Sequence, residues 1–480
     1  MNDTVLALYH ALPAPVRTGV ASARGAYLRR WRYGPDAETL VAEAIERESW
    51  SPEQWRSWQE DRLSRVLHRA ATQVPYYRRQ WEERRRRGDR SSWERVENWP
   101  ILPKARVREN PRAFVAEDCD PRRMYHEHTS GTTGTPLHLW QTRQTVRRWF
   151  GLVEARVQRW SGVTRFDRWS MIGGQLVVPV SRTRPPFWVV NRPMRQLYLS
   201  SYHLAPTNVA SYLEAMRSYG VTYLLGYASS MVALAQGALE QGLQAPVLKV
   251  AFNNAEPLSP SQRQRITAAF GCPVRDTYGM AEIVCGASEC SSGAMHLWPE
   301  AGFVEILGEA SEQSCPLGES GRLIGTSLLN ADMPLVRYAV GDRAALGVPG
   351  APCSCGRRLP ELRLIEGRSD DVLVTPEGRL IGRLDPVFKA DLPIREAQIV
   401  QEALNRVRVK IVPAGGFDSD ALASVQHRLQ QRLGSSIEVV VETVAEIPRG
   451  PGGKFRAVIS LLPKPSADFS TPLASSDVRP

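Results

Sequence analysis

Lysine is scarce in this chain of 480 residues. Only six of its 61 basic side chains are lysines, at positions 104, 249, 389, 410, 454 and 464, which leaves 55 arginines. An arginine share this lopsided reads as compositional bias as much as function. Long hydrophobic runs are missing too: no stretch of eighteen apolar residues occurs, so no membrane-crossing helix is expected. The first residues, MNDTVLALYHALPAPVRTG, hold an early acid, an apolar stretch broken by two prolines and no small-residue cleavage site. They do not read as a signal peptide, and a cytoplasmic protein is expected. Seven cysteines, an odd number over a long chain, exclude a dense disulfide framework. No internal repeat is found, and no GxxxxGK[ST] phosphate loop.

What is there is globular. The chain is 42% hydrophobic and 23% charged, and at its length two or three domains are expected. A net charge of +11 favours anionic ligands without naming nucleic acid. The arginine run 84–87 is flanked by Glu82, Glu83 and Asp89, so it reads as a solvated helix end, and no specific nucleic-acid partner is expected.

Residues 1–100 have helical spacing and are rich in Arg, Glu and Trp. Ser51-Pro52-Glu53 has the form of a helix start, with a cap, a proline in the first turn and an early acid. Between 200 and 280, helical and strand patterns alternate, from NVASYLEAMRSYG through TYLLGY, SSMVALAQGALEQGL, LKVAFNN and SPSQRQRITAAFG to PVRDTYG. That alternation predicts a parallel sheet covered by helices, with ligands at the carboxyl ends of its strands, where NNAEP (253–257) and TYGMAE (277–282) lie. After Gly367 the texture changes to a hairpin with its turn at Glu377-Gly378, the strand VRVKIVP, a helix and the strand IEVVVETV. The fold expected is α/β: a large N-terminal domain with parallel-type sheets under helices, and a small mobile α+β C-terminal domain. The boundaries expected are 1–100 for a helical part of the large domain, 101–369 for its core, 370–463 for the small domain and 464–480 for a disordered tail.

The sharpest segment is HTSGTTGTP (128–136), where seven consecutive positions hold only Gly, Ser or Thr. Glycines let backbone amides converge on an anion, and hydroxyls add donors, as a loop gripping nucleotide phosphates requires. This segment resembles the phosphate loop of the acyl-adenylate-forming superfamily. TYGMAE, RYAVGD (337–342), EGRSDD (366–371) and PRGPGGK (448–454) match further elements of that superfamily in order. With CSCGRRLP (353–360), they are most similar to the phenylacetate–CoA ligase-like branch and, within it, to members associated with capsule and exopolysaccharide.

The resemblance implies ATP-dependent activation of a carboxylic acid as its adenylate, followed by transfer to CoA or another acyl acceptor, in a monomer or homodimer. It assigns the phosphates to Thr129, Ser130, Gly131, Thr132, Thr133 and Gly134. The adenine and α-phosphate side falls to Asn254, Ala255, Glu256, Pro257, Thr277, Tyr278 and Gly279. Asp342 would accept the ribose hydroxyls and Arg368 would support the ribose or phosphates. Glu282 would hold Mg²⁺, Lys454 would bridge carboxylate and α-phosphate, and Asp370 would be the hinge. For Glu256, an acid at the N-terminus of the helix starting at Ser259-Pro260 is a competing reading. The segment 140–150 and Tyr227-Ala228-Ser229 would line the acid pocket, which would suit an aryl acid.

Cys290, His296, Cys353 and Cys355 have the donor types and loop spacing of a structural Zn²⁺ site, with Cys285 as a substitute ligand. Some features fit no general element of the superfamily: a phosphate loop without a lysine after its proline, Trp298-Pro299-Glu300 and the arginine-rich first hundred residues. They leave room for a non-catalytic or differently reacting member acting in polysaccharide or secondary-metabolite assembly.

Overall fold

The structure, a computed structural model, describes residues 3–128, 137–308, 312–347, 353–366, 373–381, 384–388, 392–413, 416–448 and 457–462. Five helices fill residues 3–86: α1 (Asp3–Ala11), α2 (Ala14–Arg32), α3 (Ala37–Glu46), α4 (Pro52–Gln73) and α5 (Pro75–Arg86). Helix α4 starts where the sequence signals it. The Ser51 side chain accepts from the Gln54 amide and the Gln54 side chain returns to the Ser51 amide, a reciprocal cap that satisfies two otherwise orphaned N–H groups. The arginines at the end of α5 turn inward in part. Arg84 pairs with Asp89 at 2.6 Å and lies over the Trp81 ring, so this helix end is tied down by local contacts.

Helix α6 (Lys104–Glu109) precedes a short antiparallel hairpin, β1 (Tyr125–His128) with β2 (His138–Gln141), and helix α7 (Arg143–Val153) follows it. The large sheet comprises β3 (Trp169–Gly173), β4 (Trp188–Asn191), β5 (Gln196–Ser200), β6 (Tyr223–Gly226), β7 (Val250–Asn254), β8 (Val274–Gly279), β9 (Gly286–Glu289) and β10 (Met295–Leu297), in the order β10-β9-β8-β7-β6-β3-β5-β4. Its centre, from β5 to β8, is parallel; its edge strands are antiparallel. Helices α8 (Val209–Tyr219), α9 (Ala228–Glu240) and α10 (Pro260–Phe270) cover one face, with Tyr212, Leu224, Leu234 and Phe270 in its core. The other face packs Val41 of α3 and Leu152 of α7 against Tyr223 and Phe252. Both faces are buried, which is why β6 (YLLG) and the start of β7 (VAF) are continuous apolar runs, whereas β8 (VRDTYG) turns polar as it enters the site.

A second, antiparallel sheet runs β11 (Gly302–Leu307), β12 (Gly321–Ser327), β13 (Tyr338–Leu346) and β14 (Leu362–Glu366) in chain order. It shares a core with α4 and α5 through residues such as Leu67, Trp99 and Tyr338. The C-terminal part holds a two-stranded hairpin, β15 (Leu373–Val374) with β16 (Leu380–Ile381). Beside it lies a sheet of β17 (Ile394–Ala403), β18 (Arg406–Pro413), β19 (Glu438–Thr443) and β20 (Val458–Ser460), against helix α11 (Ser419–Leu433). Its core continues into Leu6, Leu176 and Tyr202 of the larger part, and the buried Arg379 donates to the carbonyls of both Tyr202 and Leu433. No described helix is long and apolar enough to cross a membrane.

Trp298-Pro299-Glu300, unassigned from sequence, joins the two sheets. A Cβ on Gly286 would meet the Trp298 ring at 2.6 Å, so only glycine lets strand β9 approach that indole. Glu300 receives two hydrogen bonds from Arg156, at 2.5 and 2.6 Å, with the side chains 3% and 0% exposed. Breaking such a pair leaves a buried charge without its counterion. Glu300→Ala is therefore expected to cost about 3–5 kcal/mol. The denaturation midpoint in urea measures this, and a change below about 1 kcal/mol would contradict the assignment.

Candidate active site and metal cluster

The site grows from the carboxyl ends of β7 and β8 and from the middle of β13. Asn253, fully buried on β7, donates to the Glu256 carbonyl at 2.7 Å and to Asp276 at 2.8 Å, and so locks the NNAEP turn onto the neighbouring strand. Ala255 sits in that turn at φ +66°, a left-handed conformation that a residue with a Cβ adopts only when its surroundings impose it. Glu256 does not serve α10, which is capped by Ser259 and Gln262. Its carboxylate instead takes the Ser229 amide at 2.8 Å and the Ser229 hydroxyl at 3.0 Å, at the start of α9. The acid thus serves a different helix N-terminus from the one its sequence position suggests. Thr277 donates its hydroxyl to the Asn253 carbonyl at 2.7 Å, while Gly279 closes β8 against Trp149.

Tyr278 reaches from β8 to β13, where its hydroxyl donates to Asp342 at 2.8 Å. Burial and the adjoining Asp342 charge push the Tyr278 phenol well up, so it remains a donor. Gly341, at φ +93°, makes the backbone turn preceding Asp342 that a side chain would strain. Glu282, one turn beyond β8, is almost wholly buried. Its Oε1 accepts from Lys104 Nζ and from the Tyr338 hydroxyl, both at 2.9 Å. Burial alone would raise this carboxyl, but the Lys104 charge and the two hydrogen bonds hold it below its usual range, so Glu282 is ionised. Lys104, on α6, is a participant that sequence reading missed. Its only signal was its rarity.

Arg337, at the head of RYAVGD, is 2% exposed; it hydrogen-bonds to the Trp99 carbonyl and pairs with Glu305 and Glu312, so it anchors the second sheet. The segment 129–136, Arg368, Asp370 and Lys454 lie outside the described residues. The strands flanking 129–136 are described, and β1 and β2 pair in register from Tyr125↔Gln141 to His128↔His138. Gln141, at the base of that hairpin, donates to the Ala281 carbonyl at 3.3 Å and so ties it to the turn carrying Glu282.

A cavity of about 110 Å³ opens against that turn. Val146, Trp149 and Phe150 of α7 line it, within the segment expected from sequence, together with Met280 and Ala281. Tyr227-Ala228-Ser229 does not contribute to it. Helix α2 does, through Trp31 and Arg32.

About the far edge of the large sheet, the ligand atoms of Cys290, His296, Cys353 and Cys355 lie within 4.8 Å of one another. The hairpin β9–β10 supplies Cys290 and His296, and the loop preceding β14 supplies the other two. The Cys290 and Cys353 sulfurs are 3.8 Å apart, far beyond a disulfide, and all seven cysteines are free. Cys355 Sγ faces His296 Nε2 at 3.4 Å, while His296 Nδ1 lies 3.0 Å from the Leu359 carbonyl. That carbonyl fixes the proton on Nδ1 and leaves Nε2 as the ligand atom, and burial lowers the imidazole pKa, favouring the neutral form that metals bind. The donor set fits tetrahedral Zn²⁺. Cys285 is not part of it: the side chain is fully buried with Ala287, Leu323 and Ala344, and burial pushes its thiol up.

The family model for AMP-binding enzymes matches residues 56–326, more than half of the chain. The chain belongs to this family. It is an adenylate-forming ligase of the phenylacetate–CoA ligase-like branch, and a second model, the CapK C-terminal domain, matches residues 373–461 of this ligase. Protein CapK of Staphylococcus aureus is 24% identical over 373 residues, covering 76% of this chain and 80% of that protein. The phenylacetate-coenzyme A ligase of Thermus thermophilus is 24% identical over 481 residues, covering 89% and 99%. The crystal structure of 2-hydroxyisobutyryl-CoA ligase with 2-HIB-AMP and CoA aligns with a TM-score of 0.54 at 21% identity, over 86% of this chain and 91% of that one. At that identity the likeness establishes the fold of the ligase: a large α/β domain followed by a smaller C-terminal one.

Proposed function

We propose that this ligase joins a carboxylic acid to the α-phosphate of ATP, releasing pyrophosphate, and passes the acyl group from AMP to CoA. The observation that carries the reading is the meeting of Tyr278–Asp342 and Lys104–Glu282–Tyr338 at the carboxyl end of β8, within a family of AMP-binding enzymes. The names of its relatives, which include phenylacetate-coenzyme A ligases, support CoA as the acceptor.

Adenylation brings two anions together and builds charge at phosphorus, so catalysis rests on positioning and electrostatic stabilisation. In this reading Thr129, Ser130, Gly131, Thr132, Thr133 and Gly134 grip the phosphates. Ala255, Glu256, Thr277, Tyr278 and Gly279 form the adenine side, and Asp342 accepts the ribose hydroxyls while Tyr278 holds it in place. Arg368 supports the ribose or phosphates. Glu282 offers Mg²⁺ an ionised carboxylate, and Lys104 already brings one positive charge to it, so the ion would share Glu282 with that lysine. Bound there, Mg²⁺ would neutralise phosphate charge. Lys454 bridges the acid and the α-phosphate, and residues 370–463 rotate about Asp370 to exchange that lysine for the acyl acceptor. Zn²⁺ on Cys290, His296, Cys353 and Cys355 is structural, since adenylation has no step that needs it.

Acid-dependent release of pyrophosphate, with the product identified by mass spectrometry, tests the reading. Absence of release with every acid in a broad panel would overturn it. Within that assay, Asp342→Ala is expected to weaken ATP binding by roughly one to two decades, because hydrogen bonds to a charged acceptor are worth about 1.5–3 kcal/mol. Calorimetry reads this directly, and equal ATP affinity in variant and parent would remove Asp342 from the ribose site.

A further inference from the structure

The wall that α2 contributes to the cavity has a chemistry of its own. Arg32, the last residue of that helix, lays its guanidinium over the Phe150 ring, 4.2 Å from the centroid. Stacking engages the flat face of the group and leaves its in-plane N–H donors for another partner. Among the described residues Arg32 forms no hydrogen bond and no ion pair. Glu127, which also lines the cavity, stays out of ion-pair range of it and receives the His128 amide at 3.3 Å. Burial pushes the Arg32 guanidinium below its ordinary pKa, with Glu127 partly offsetting this and Arg24 adding to it. A second cation stands behind the wall, because Arg143 lies over the Trp31 ring at 5.0 Å. The cavity therefore presents a half-buried cation with unused donors, in surroundings where positive charge outweighs the one carboxylate.

We propose that Arg32 selects the acid: the substrate is a short carboxylic acid that carries a second anionic group, and Arg32 binds that group while the first carboxylate faces the turn at Met280, Ala281 and Glu282. The proposal rests on the adenylation reading above and names the substrate class for it. Two observations carry it. Arg32 has five donors and a planar fork suited to a carboxylate, and nothing described answers them. The volume of about 110 Å³ also falls below the roughly 150 Å³ of an apolar cavity that accepts benzene, which favours a compact acid over an aryl one.

The test uses the full chain and three acids: succinate, butyrate, which has the same length but ends in a methyl group, and phenylacetate. The parent is expected to favour succinate at least tenfold in kcat/KM, measured by pyrophosphate release. Arg32→Met should erase that preference by raising the KM for succinate tenfold to a hundredfold, the range for losing hydrogen bonds between charged groups. Arg32→Lys should restore part of it, and Arg32→Gln replaces the methionine variant if that one is insoluble. A parent that prefers butyrate or phenylacetate, or an Arg32→Met variant that keeps the succinate preference, would overturn the proposal. If no acid releases pyrophosphate, the adenylation reading fails by itself, and calorimetry with succinate then decides the pocket. Binding by the parent that is lost in Arg32→Met supports the role of Arg32; no binding, or equal binding, refutes it.

Discussion

Lys454→Ala is expected to lower acid-dependent pyrophosphate exchange by two decades or more while ATP affinity stays close to that of the parent. Lys454 lies in PRGPGGK, in a chain that uses arginine about nine times as often as lysine. The proposed task explains why a lysine stands there. A carboxylate and an α-phosphate repel each other, and a compact ammonium on a flexible stem can lie between their oxygens, whereas the planar guanidinium fork is built for two-point contact with one of them. Lys454→Arg is accordingly expected to restore little. Each tenfold loss corresponds to about 1.4 kcal/mol, so one decade is within reach of a minor misplacement and two or more mark a group acting in the transition state. Exchange at the parental rate in Lys454→Ala would remove this residue from the mechanism.

The second large effect concerns stability. Purified protein is expected to carry about one zinc per chain, and Cys353→Ser to lose both that zinc and more than about 4 kcal/mol of stability, in the class of effects that follow loss of a structural metal. The cause is geometric. Cys290 and His296 stand on the hairpin β9–β10, Cys353 and Cys355 on a loop some sixty residues further on, and their ligand atoms converge within 4.8 Å only in the folded chain. Binding energy is then folding energy. Beside the cluster, Trp160 stands edge-on to His296, and Arg357 lies over Trp160 while pairing with Glu48. Loosening the loop is therefore expected to loosen the junction between α3 and α4 as well. Elemental analysis and calorimetric unfolding measure the two losses together. ATP binding by the soluble variant should persist, since none of the four residues is assigned to the nucleotide. Protein purified without chelators that holds no zinc, with its thiols freely modifiable, would refute the site.

What sequence alone determined is local. The caps at Ser51 and Ser259, the strands Tyr223–Gly226, Val250–Asn254 and Val274–Gly279, and the α/β class follow from residues within a few positions of one another, where hydroxyl caps, prolines and apolar periodicity act directly on the backbone. The convergence of Cys290, His296, Cys353 and Cys355 was readable for a related reason: thiol and imidazole are rare donors, and their short spacings survive whatever lies between. Partners across long stretches of chain were not readable. Lys104 meets Glu282 across 178 positions and Arg156 meets Glu300 across 144, and any of fifty-five arginines could have served the second acid. Only the order of the strands decided that Glu256 caps α9, that Cys285 turns into the core and that α2 brings Arg32 to the cavity. The physical reason is that a charged group names the kind of partner it needs, whereas packing of the sheets determines which side chain of that kind is within 3 Å.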